Sequence, residues 1–345
     1  MWNCWTSWGS GGLAALGLLA SVAAASAQSP EGFYKGKSID LVISSDVGGG
    51  YDAYARLVGI YMERHIPGHP RIVPKNMVGA GGLVATNYLA NVAAHDGTAI
   101  GQIQNTVPLE PLLGEKAAQF DALRLNFIGS VNTEVAVAFT WHTSPTRTFE
   151  DLQKRETLMA ASTGAISAIY GQAMNDLVGT KIKLVTGYAG TAAAFLAIQR
   201  GEADGFPAQF YSSLKSGNPD WLANKDINIL VQLSPVKHPD LPNVPLIFDY
   251  VKTPEQRAAF EVLLAPNVLG RPFIAPPGIP ADRLATLRKA FEDTLKDPDF
   301  LADAAKRNLE IQLTTGDDLE KFLQHVYATP ASTVARVQQY GRSGG

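Results

Sequence analysis

Short apolar runs alternate with stretches of helical periodicity from residue 31 onward, and this alternation constrains the fold more than any other feature. Residues 39–43 are typical of a buried strand, 52–64 of a helix and 71–76 of the next strand. A helix through Val92 and a strand over 99–104 complete a β-α-β-α-β order. This order predicts right-handed crossovers and a mainly parallel sheet, because parallel neighbours cannot be joined by tight hairpins.

The same alternation begins again after residue 134, which predicts a second α/β unit. The strands of this unit are expected at 135–141, 157–161, 181–186, 203–207 and 227–233, with helices at 166–178 and 191–200. The chain should then return to the first unit through a strand at 267–275 and two long helices at 280–296 and 317–340. The predicted fold class is therefore α/β, with two lobes that each contain a mainly parallel sheet flanked by helices.

The N-terminus predicts export from the cytoplasm. Residues 1–27 contain no Asp, Glu, Lys or Arg, are apolar from Leu13 to Ala25, and end in an A-x-A cleavage site before Gln28. This apolar run is shorter than the roughly 20 residues that cross a bilayer, so a cleavable signal peptide is favoured over a membrane anchor. The single cysteine, Cys4, lies in this segment, so neither a disulfide nor a cysteine-ligated metal is expected.

Composition and motifs exclude several classes of function. The chain has 29 Lys+Arg against 32 Asp+Glu, and no basic stripe is present to neutralise phosphates, so nucleic acid is not an expected partner. Walker, G-x-S-x-G and H-E-x-x-H motifs are absent, and residues 79–84 lack the third glycine of a dinucleotide-binding loop. No catalytic residue, cofactor or metal site is therefore predicted.

Loops of small and hydroxyl-bearing residues follow the predicted strands and precede the predicted helices. In open α/β sheets such loops lie at the carboxyl edge, where ligands bind, and free N–H groups at helix starts can bind anions. None of the loops contains Arg or Lys, so backbone N–H groups, hydroxyls and helix dipoles are expected to hold the ligand. These loops are 44–52, 79–82, 104–106, 162–167 and 187–191.

Six motifs in this order resemble those of Bug-type receptors, the extracytoplasmic solute receptors of tripartite tricarboxylate transporters. The resemblance covers roughly residues 31–340, nearly the whole chain that follows the signal segment. The motifs are Gly48-Gly49-Gly50-Tyr51-Asp52, Asn76-Met-Val-Gly-Ala-Gly-Gly82, Asp96-Gly97-Thr98, Ser162-Thr-Gly-Ala165, Tyr188-Ala-Gly190 and Pro276-Pro-Gly-Ile-Pro-Ala-Asp282.

The resemblance implies a periplasmic binding protein of type II, with two lobes that are joined by crossing strands and close on a small carboxylate. Lobe 1 would contain residues 28–132 and 267–345, and lobe 2 residues 133–266. The implied partners are a membrane permease or a sensor protein, and a monomer is expected. Carried over by position, the ligand-binding residues would be Gly49, Gly50, Tyr51, Asp52, Gln104, Asn105, Thr106, Ser162, Thr163, Gly164, Ala165, Tyr188, Gly190 and Thr191.

Two other functions are compatible with the sequence. If Asp46 and Asp52 face the cleft, the receptor would select an amino-bearing or cationic ligand instead of an acid. A secreted enzyme on the same architecture would use His95 or His142 as its general base, although no partner nucleophile is evident. The aromatic residues Phe206, Phe210 and Tyr211 follow a predicted strand and belong either to the cleft or to the core.

Overall fold

The computed structural model describes residues 29–48, 50–161, 165–188 and 190–342, which form two β-sheets flanked by helices. The strands are β1 (Ser38–Ile43), β2 (Arg71–Asn76), β3 (Ala99–Gln102), β4 (Asn126–Ser130), β5 (Ala136–Trp141), β6 (Thr157–Ala160), β7 (Ile182–Val185), β8 (Gly205–Phe210), β9 (Ile227–Leu233), β10 (Pro272–Ala275) and β11 (Thr314–Thr315). The helices are α1 (Pro30–Tyr34), α2 (Gly50–Met62), α3 (Leu83–Asn91), α4 (Phe149–Lys154), α5 (Ile166–Val178), α6 (Thr191–Gln199), α7 (Tyr211–Gly217), α8 (Pro219–Ala223), α9 (Pro254–Leu269), α10 (Ala281–Lys296), α11 (Pro298–Lys306), α12 (Gly316–Tyr327) and α13 (Ala331–Arg342).

Both sheets are mixed, and most of their strands share one direction. The first sheet has the order β11-β4-β10-β3-β1-β2, in which β10 is antiparallel to both of its neighbours. The second sheet has the order β7-β6-β8-β5-β9, in which β5 is antiparallel to both of its neighbours. The predicted α/β fold with two sheets flanked by helices is confirmed. The sheets are mixed and not mainly parallel, because β10 and β5 are antiparallel to both neighbours and β11 is antiparallel to β4.

Strands β5 and β10 each follow a crossing between the lobes. The chain leaves the first sheet after β4 and enters the second as β5, and it returns after α9 as β10. The amino end of an antiparallel strand lies at the same edge as the carboxyl ends of its parallel neighbours. Residues that immediately precede β5 and β10 therefore lie at the edge where the strand-to-helix loops meet.

Each lobe has its own apolar core. In the first lobe, alternate residues of β1 and the strand β10 pack against α2 and α10, as shown by the fully buried Ile39, Phe273 and Phe291. In the second lobe, Phe139 packs against Phe206 with ring centroids 6.2 Å apart. Full burial of one such side chain contributes about 1.5–3 kcal/mol to folding. Phe206 and Tyr211 thus belong to this core.

Several elements have the bounds that the sequence predicts, others are shifted by two or three residues, and two predictions differ in kind. The predicted bounds of β2, α5 and β9 are confirmed. The strand predicted over 267–275 is wrong in its first half, because residues 267–269 complete α9 and only β10 is extended. The single helix predicted over 317–340 is two helices, because Pro330 lacks a backbone N–H and ends the helical run.

The closing helices return to the first lobe, as predicted, but one of them also contacts the second. Helices α10 and α12 pack against β4, whereas α13 packs against α5 and α9. Helix α9 itself contacts α5 on one side and α12 on the other. We propose the predicted lobe boundaries at residues 133 and 267 on this basis. No helix among the described residues combines the length and apolar character that a membrane crossing requires.

Candidate functional site

A cavity of about 760 Å³ lies between the two lobes. It adjoins the two segments that cross between the lobes, residues 131–135 before β5 and 270–271 before β10, which we call the crossing segments. Its walls come from the segment that follows β3, from α5 and α9, from the segment after β8, and from α13. Such a volume is in the range of small-molecule binding sites. The polar residues that line it are Tyr51, Gln104, Asn105, Thr106, Glu110, Glu115, Glu134, Tyr170, Ser212, Ser213, Asn267, Arg271 and Gln338.

An ion pair joins the two crossing segments inside this cavity. Arg271 Nη1 donates to Glu134 Oε1 at 2.6 Å, and the side chain of Glu134 is only 8% exposed. Arg271 immediately precedes β10, and Glu134 lies two residues before β5. Both therefore lie at the sheet edge where the strand-to-helix loops meet, which we call the ligand edge. A second cavity of about 590 Å³ is lined by the same pair together with Gly50 and Tyr54.

Hydrogen bonds fix Glu134 but leave part of Arg271 available. Asn132 Nδ2 and Ser212 Oγ donate to the two carboxylate oxygens of Glu134, each at 2.9 Å. Arg271 Nε is buried and makes no hydrogen bond among the described residues, and Arg271 Nη2 lies 3.9 Å from the point where a Cβ on Gly50 would stand. The guanidinium therefore reaches the start of α2 with unused N–H donors.

The hydroxyl of Tyr51 connects the first glycine-rich loop to both neighbouring segments. It donates to the carbonyl of Gly270 and accepts from the backbone N–H of Asn105, both at 3.3 Å. Burial raises the pKa of Tyr51 to about 12, so the hydroxyl remains protonated at neutral pH. The ring lies 5.4 Å from the guanidinium carbon of Arg271 and forms one wall beside the cation.

Asn105 and Asn267 hold the segments around the cavity together. Asn105 Nδ2 donates to the carbonyl of Pro266 at 2.8 Å, which ties the segment after β3 to the end of α9. Asn267 Nδ2 donates to the carbonyl of Leu233 at 3.1 Å and reaches the end of β9. Tyr170 on α5 donates to the carbonyl of Leu263 at 3.0 Å. The Asn105 bond therefore joins the first lobe to α9, and the other two bonds hold α9 against the second lobe.

Five of the six described first-lobe residues that the sequence singled out line one of the two cavities. Tyr51, Gln104, Asn105 and Thr106 line the larger cavity, and Gly50 lines the smaller one. Asp52 instead points into the lobe, where it is 3% exposed and lines neither cavity. Its participation in the ligand site stays a prediction that this geometry does not favour.

The second-lobe residues are not assembled around the cavity in the same way. Ala165, Tyr188, Gly190 and Thr191 are not among its lining residues, although Ile166 and Ile169 of α5 are. Tyr188 packs against the core of the second lobe. Gly49, Ser162, Thr163 and Gly164 lie outside the described residues.

Arg271 and Glu134 are candidate site residues that the sequence patterns did not predict. The predicted site residues lie in loops between a strand and a following helix, and neither Arg271 nor Glu134 lies in such a loop. The prediction that backbone N–H groups, hydroxyls and helix dipoles hold the ligand stays a prediction, but a cationic side chain, Arg271, does line the cavity. The predicted crossings between the lobes are the sequence signal that could have indicated these two residues. A strand that follows a crossing can enter its sheet antiparallel, and its first residues then lie at the ligand edge. The sequence is compatible with Phe210 in either the cleft or the core, and the structure shows that it lines the cavity.

The positions of Asp52 and Asp46 do not favour a receptor that selects a cationic ligand. Asp52 accepts from Arg56 Nε at 2.8 Å, from Asn76 Nδ2 at 2.8 Å and from the backbone N–H of Gly48 at 2.9 Å. Burial opposes ionisation of Asp52, but these hydrogen bonds outweigh burial and lower its pKa. Asp46 is exposed and lines neither cavity.

The two candidate general bases lie away from the cavity. His95 is exposed before β3, at the edge opposite the ligand edge, and lines a separate cavity of about 270 Å³. His142 is exposed after β5, and its Nδ1 lies 3.2 Å from the carbonyl of Asp226. Neither imidazole is placed to act on a molecule that is bound between the lobes.

Comparisons with known proteins agree with this fold. A family model described as TctC, tripartite tricarboxylate transporter family receptor, matches residues 55–337. A search of the curated proteins found no match. The structure is similar to a TctC solute-binding protein from Polaromonas solved without ligand, with a TM-score of 0.70, 16% sequence identity, and coverage of 88% of this chain and 99% of the other.

Two further solved structures share the fold. The periplasmic binding protein BugD has a TM-score of 0.54 at 18% identity, with 89% of this chain and 99% of BugD covered. An R. palustris protein solved with adipate has a TM-score of 0.55 at 15% identity, with 90% of this chain and 98% of the other covered. Receptors of this periplasmic family bind a small molecule and serve the membrane component of a transporter. Because the family match spans most of its length, the chain belongs to the TctC family of tripartite tricarboxylate transporter receptors.

Proposed function

We propose that this receptor captures a small organic carboxylate between its two lobes and delivers it to the permease of a tripartite transporter or to a sensor protein. In this proposal residues 1–27 are a cleavable signal peptide, and the mature chain is a periplasmic monomer without catalytic activity. The absence of charge from residues 1–27 and their A-x-A end support the export step.

One observation carries the choice of ligand, namely the position of Arg271. Its guanidinium lines both cavities at the ligand edge, and Glu134 occupies only the Nη1 side. Arginine binds carboxylates through paired N–H donors, and a hydrogen bond to a charged group contributes about 1.5–3 kcal/mol. The remaining donors of Arg271 therefore suit one carboxylate, placed between the guanidinium and the start of α2.

The glycine at position 50 supports the same placement. Arg271 Nη2 lies 3.9 Å from the position a Cβ would take there, so the guanidinium stands directly beside the start of α2. A carboxylate at this point would also meet the positive end of the α2 dipole, which is worth about 0.3–1 kcal/mol. The R. palustris relative that was solved with adipate is consistent with carboxylate binding in this fold.

The residues carried over from the family resemblance complete the proposed site. Gly49 to Tyr51 and Gln104 to Thr106 would act from the first lobe, and Asp52 would hold the loop in place through its hydrogen bonds to Gly48 and Arg56. Ser162 to Ala165, together with Tyr188, Gly190 and Thr191, would act from the second. The described members of the second set do not line the cavity, namely Ala165, Tyr188, Gly190 and Thr191. We therefore propose that hydroxyl and N–H groups of this lobe reach the ligand on further closure of the lobes.

Titration calorimetry with a panel of aliphatic and aromatic carboxylates tests the proposal. We expect at least one acid to bind the unaltered protein, and Arg271→Gln to weaken that binding about 10- to 150-fold, which corresponds to the loss of a charge-assisted hydrogen bond. The double variant R271Q/E134Q shows whether the loss follows from an unpaired Glu134, since it removes both charges. Arg257→Gln, on the exposed face of α9, is the matched control and should bind normally. Failure of the whole panel to bind would overturn the proposal.

A further inference from the structure

The lining of the larger cavity is mostly apolar away from Arg271. Leu109 and Leu113 line it from the segment after β3, Ile166 and Ile169 from α5, and Val262 and Leu263 from α9. Compact acids with several carboxylates need polar partners around their whole surface, because each unpaired charge is costly to desolvate. These six side chains offer contact to hydrocarbon instead.

The charges around the cavity are unequal. Among its described lining residues Arg271 is the only cation, whereas Glu110, Glu115 and Glu134 are acidic. Glu134 is already paired with Arg271, so only one further negative charge finds a positive partner there. A second ligand carboxylate at the other end would find none.

Glu110 and Glu115 mark that other end. They line the larger cavity but not the smaller one, which adjoins Arg271 and Glu134. Their segment is held against α13, where Gln338 Nε2 donates to the carbonyl of Leu113 at 2.9 Å. Burial raises the pKa of the Glu110 carboxyl, and the charge of Glu115 raises it further. Negative charge is thus already unfavourable at this end.

We propose that the ligand is a monocarboxylate with an apolar body, rather than a compact di- or tricarboxylate. This inference rests on the proposed function and refines its ligand class. The single carboxylate pairs with Arg271 at the crossing segments. The hydrocarbon part fills the space between α5 and α9 and extends toward Glu110, so a second carboxylate at its tip would be repelled.

Chain length and terminal charge can be varied separately with simple probes. Calorimetry at neutral pH should compare hexanoate and octanoate with adipate and suberate, which have the same two chain lengths and carry carboxylates at both ends. We expect octanoate to bind at least tenfold more tightly than suberate. Octanoate should also bind more tightly than hexanoate by about fourfold per added methylene, the gain from burying each CH₂.

Variants of Glu110 and of Ile169 on α5 test where the hydrocarbon part of the ligand lies. Glu110→Gln should raise the affinity for suberate and narrow the ratio between octanoate and suberate, because it removes the facing charge. Ile169→Thr should lower the affinity for octanoate. Glu255→Gln, at the exposed start of α9, is the control and should leave the ratio unchanged.

The outcomes separate this inference from the proposed function. Suberate or adipate binding as tightly as the monocarboxylate of equal length would overturn the inference and leave carboxylate binding intact. An octanoate-to-suberate ratio that Glu110→Gln does not change would also overturn it. Absence of binding by every acid, with the fold intact by circular dichroism, would instead overturn the proposed function.

Discussion

Asp52 illustrates how a residue in a ligand-binding motif can act mainly on stability. Its three hydrogen-bond donors come from Arg56, Asn76 and the backbone of Gly48, so the carboxylate links the first glycine-rich loop to α2 and β2. Asn76 Nδ2 also donates to the carbonyl of Ser45 at 2.8 Å. This network fixes the loop whose next residues, Gly50 and Tyr51, face Arg271. Asp52 therefore positions this loop through hydrogen bonds and does not itself line the cavity.

We expect Asp52→Asn to lower the free energy of unfolding by about 1–3 kcal/mol at pH 7, as for a hydrogen-bonded buried charge. The pKa of Asp52 is lowered from its ordinary value of 3.8. Its contribution is therefore complete above the pKa of the unfolded chain and is lost as the pH falls through the lower pKa of the folded protein. The difference between the two proteins should thus shrink below about pH 4.

Urea unfolding from pH 3 to pH 7 measures this difference. Asp46→Asn, on the exposed loop nearby, is the control and should change stability by no more than about 0.5 kcal/mol. A constant difference at all pH values would show that the charge of Asp52 is not the source. Stronger binding of a cationic ligand by the unaltered protein than by Asp46→Asn would restore the idea that acidic residues select the ligand.

At the scale of elements, the sequence predicts the alternating strands and helices well and the crossings less well. Strand β9 is a short, mostly apolar run and helix α5 follows a clear periodicity of 3.6 residues, so the bounds of both are recovered. Helix α9 was missed because Pro266 interrupts its pattern and the apolar residues after it are typical of a strand. Pro266 is accommodated in the last turn, where Gly270 ends the helix.

The difficulty of predicting the crossings also explains why the sequence did not reveal Arg271 and Glu134. Glycine-rich loops after parallel strands are visible as local patterns, and four of their residues do line the cavity. Arg271 and Glu134 meet only because β5 and β10 run antiparallel inside their sheets. That pairing joins residues 137 positions apart, and no short pattern in the chain records it.

Gly270 is the backbone position on which the return crossing depends. Its φ of +59° is in the left-handed region, and a Cβ there would stand 1.8 Å from the carbonyl oxygen of Asn132 on the other crossing. We expect Gly270→Ala to destabilise the protein by more than about 3 kcal/mol, because both the backbone strain and the collision must be relieved. Thermal and urea unfolding would measure the loss.

Gly179 offers a matched control for that substitution. It has a φ of +71° at the end of α5, with nothing within 4 Å of its Cβ position. Gly179→Ala should therefore cost only the conformational strain, about 1–2 kcal/mol. Equal losses in the two variants would show that contact between the crossing segments adds nothing to stability.

At the scale of the whole molecule, two ion-pair groups connect the lobes on either side of the cleft. Beside the smaller cavity, Lys215 on α7 lies 3.0 Å from Glu310 of the first lobe and 2.9 Å from Asp240 of its own lobe. Beside the larger cavity, Arg336 on α13 lies 2.7 Å from Asp176 on α5, and Tyr340 also donates to Asp176. Both groups would have to separate if the cleft opens by a hinge motion at the crossings.

Neutralising one member of each group, with Lys215→Gln and Asp176→Asn together, should therefore favour the open form. Each pair is 40% or more exposed, so each contributes no more than about 1 kcal/mol, and together they can change the apparent ligand affinity by about two- to tenfold. Small-angle scattering of the ligand-free double variant should give a larger radius of gyration than the unaltered protein, and 0.5 M salt should produce part of the same change by screening.

Lys289→Gln with Asp40→Asn is the control, because it removes two exposed pairs within the first lobe. This control should change neither the radius of gyration nor the ligand affinity. An unchanged radius and affinity in the first variant would mean that the apolar contacts of α13 with α5 and α9 alone set the separation of the lobes.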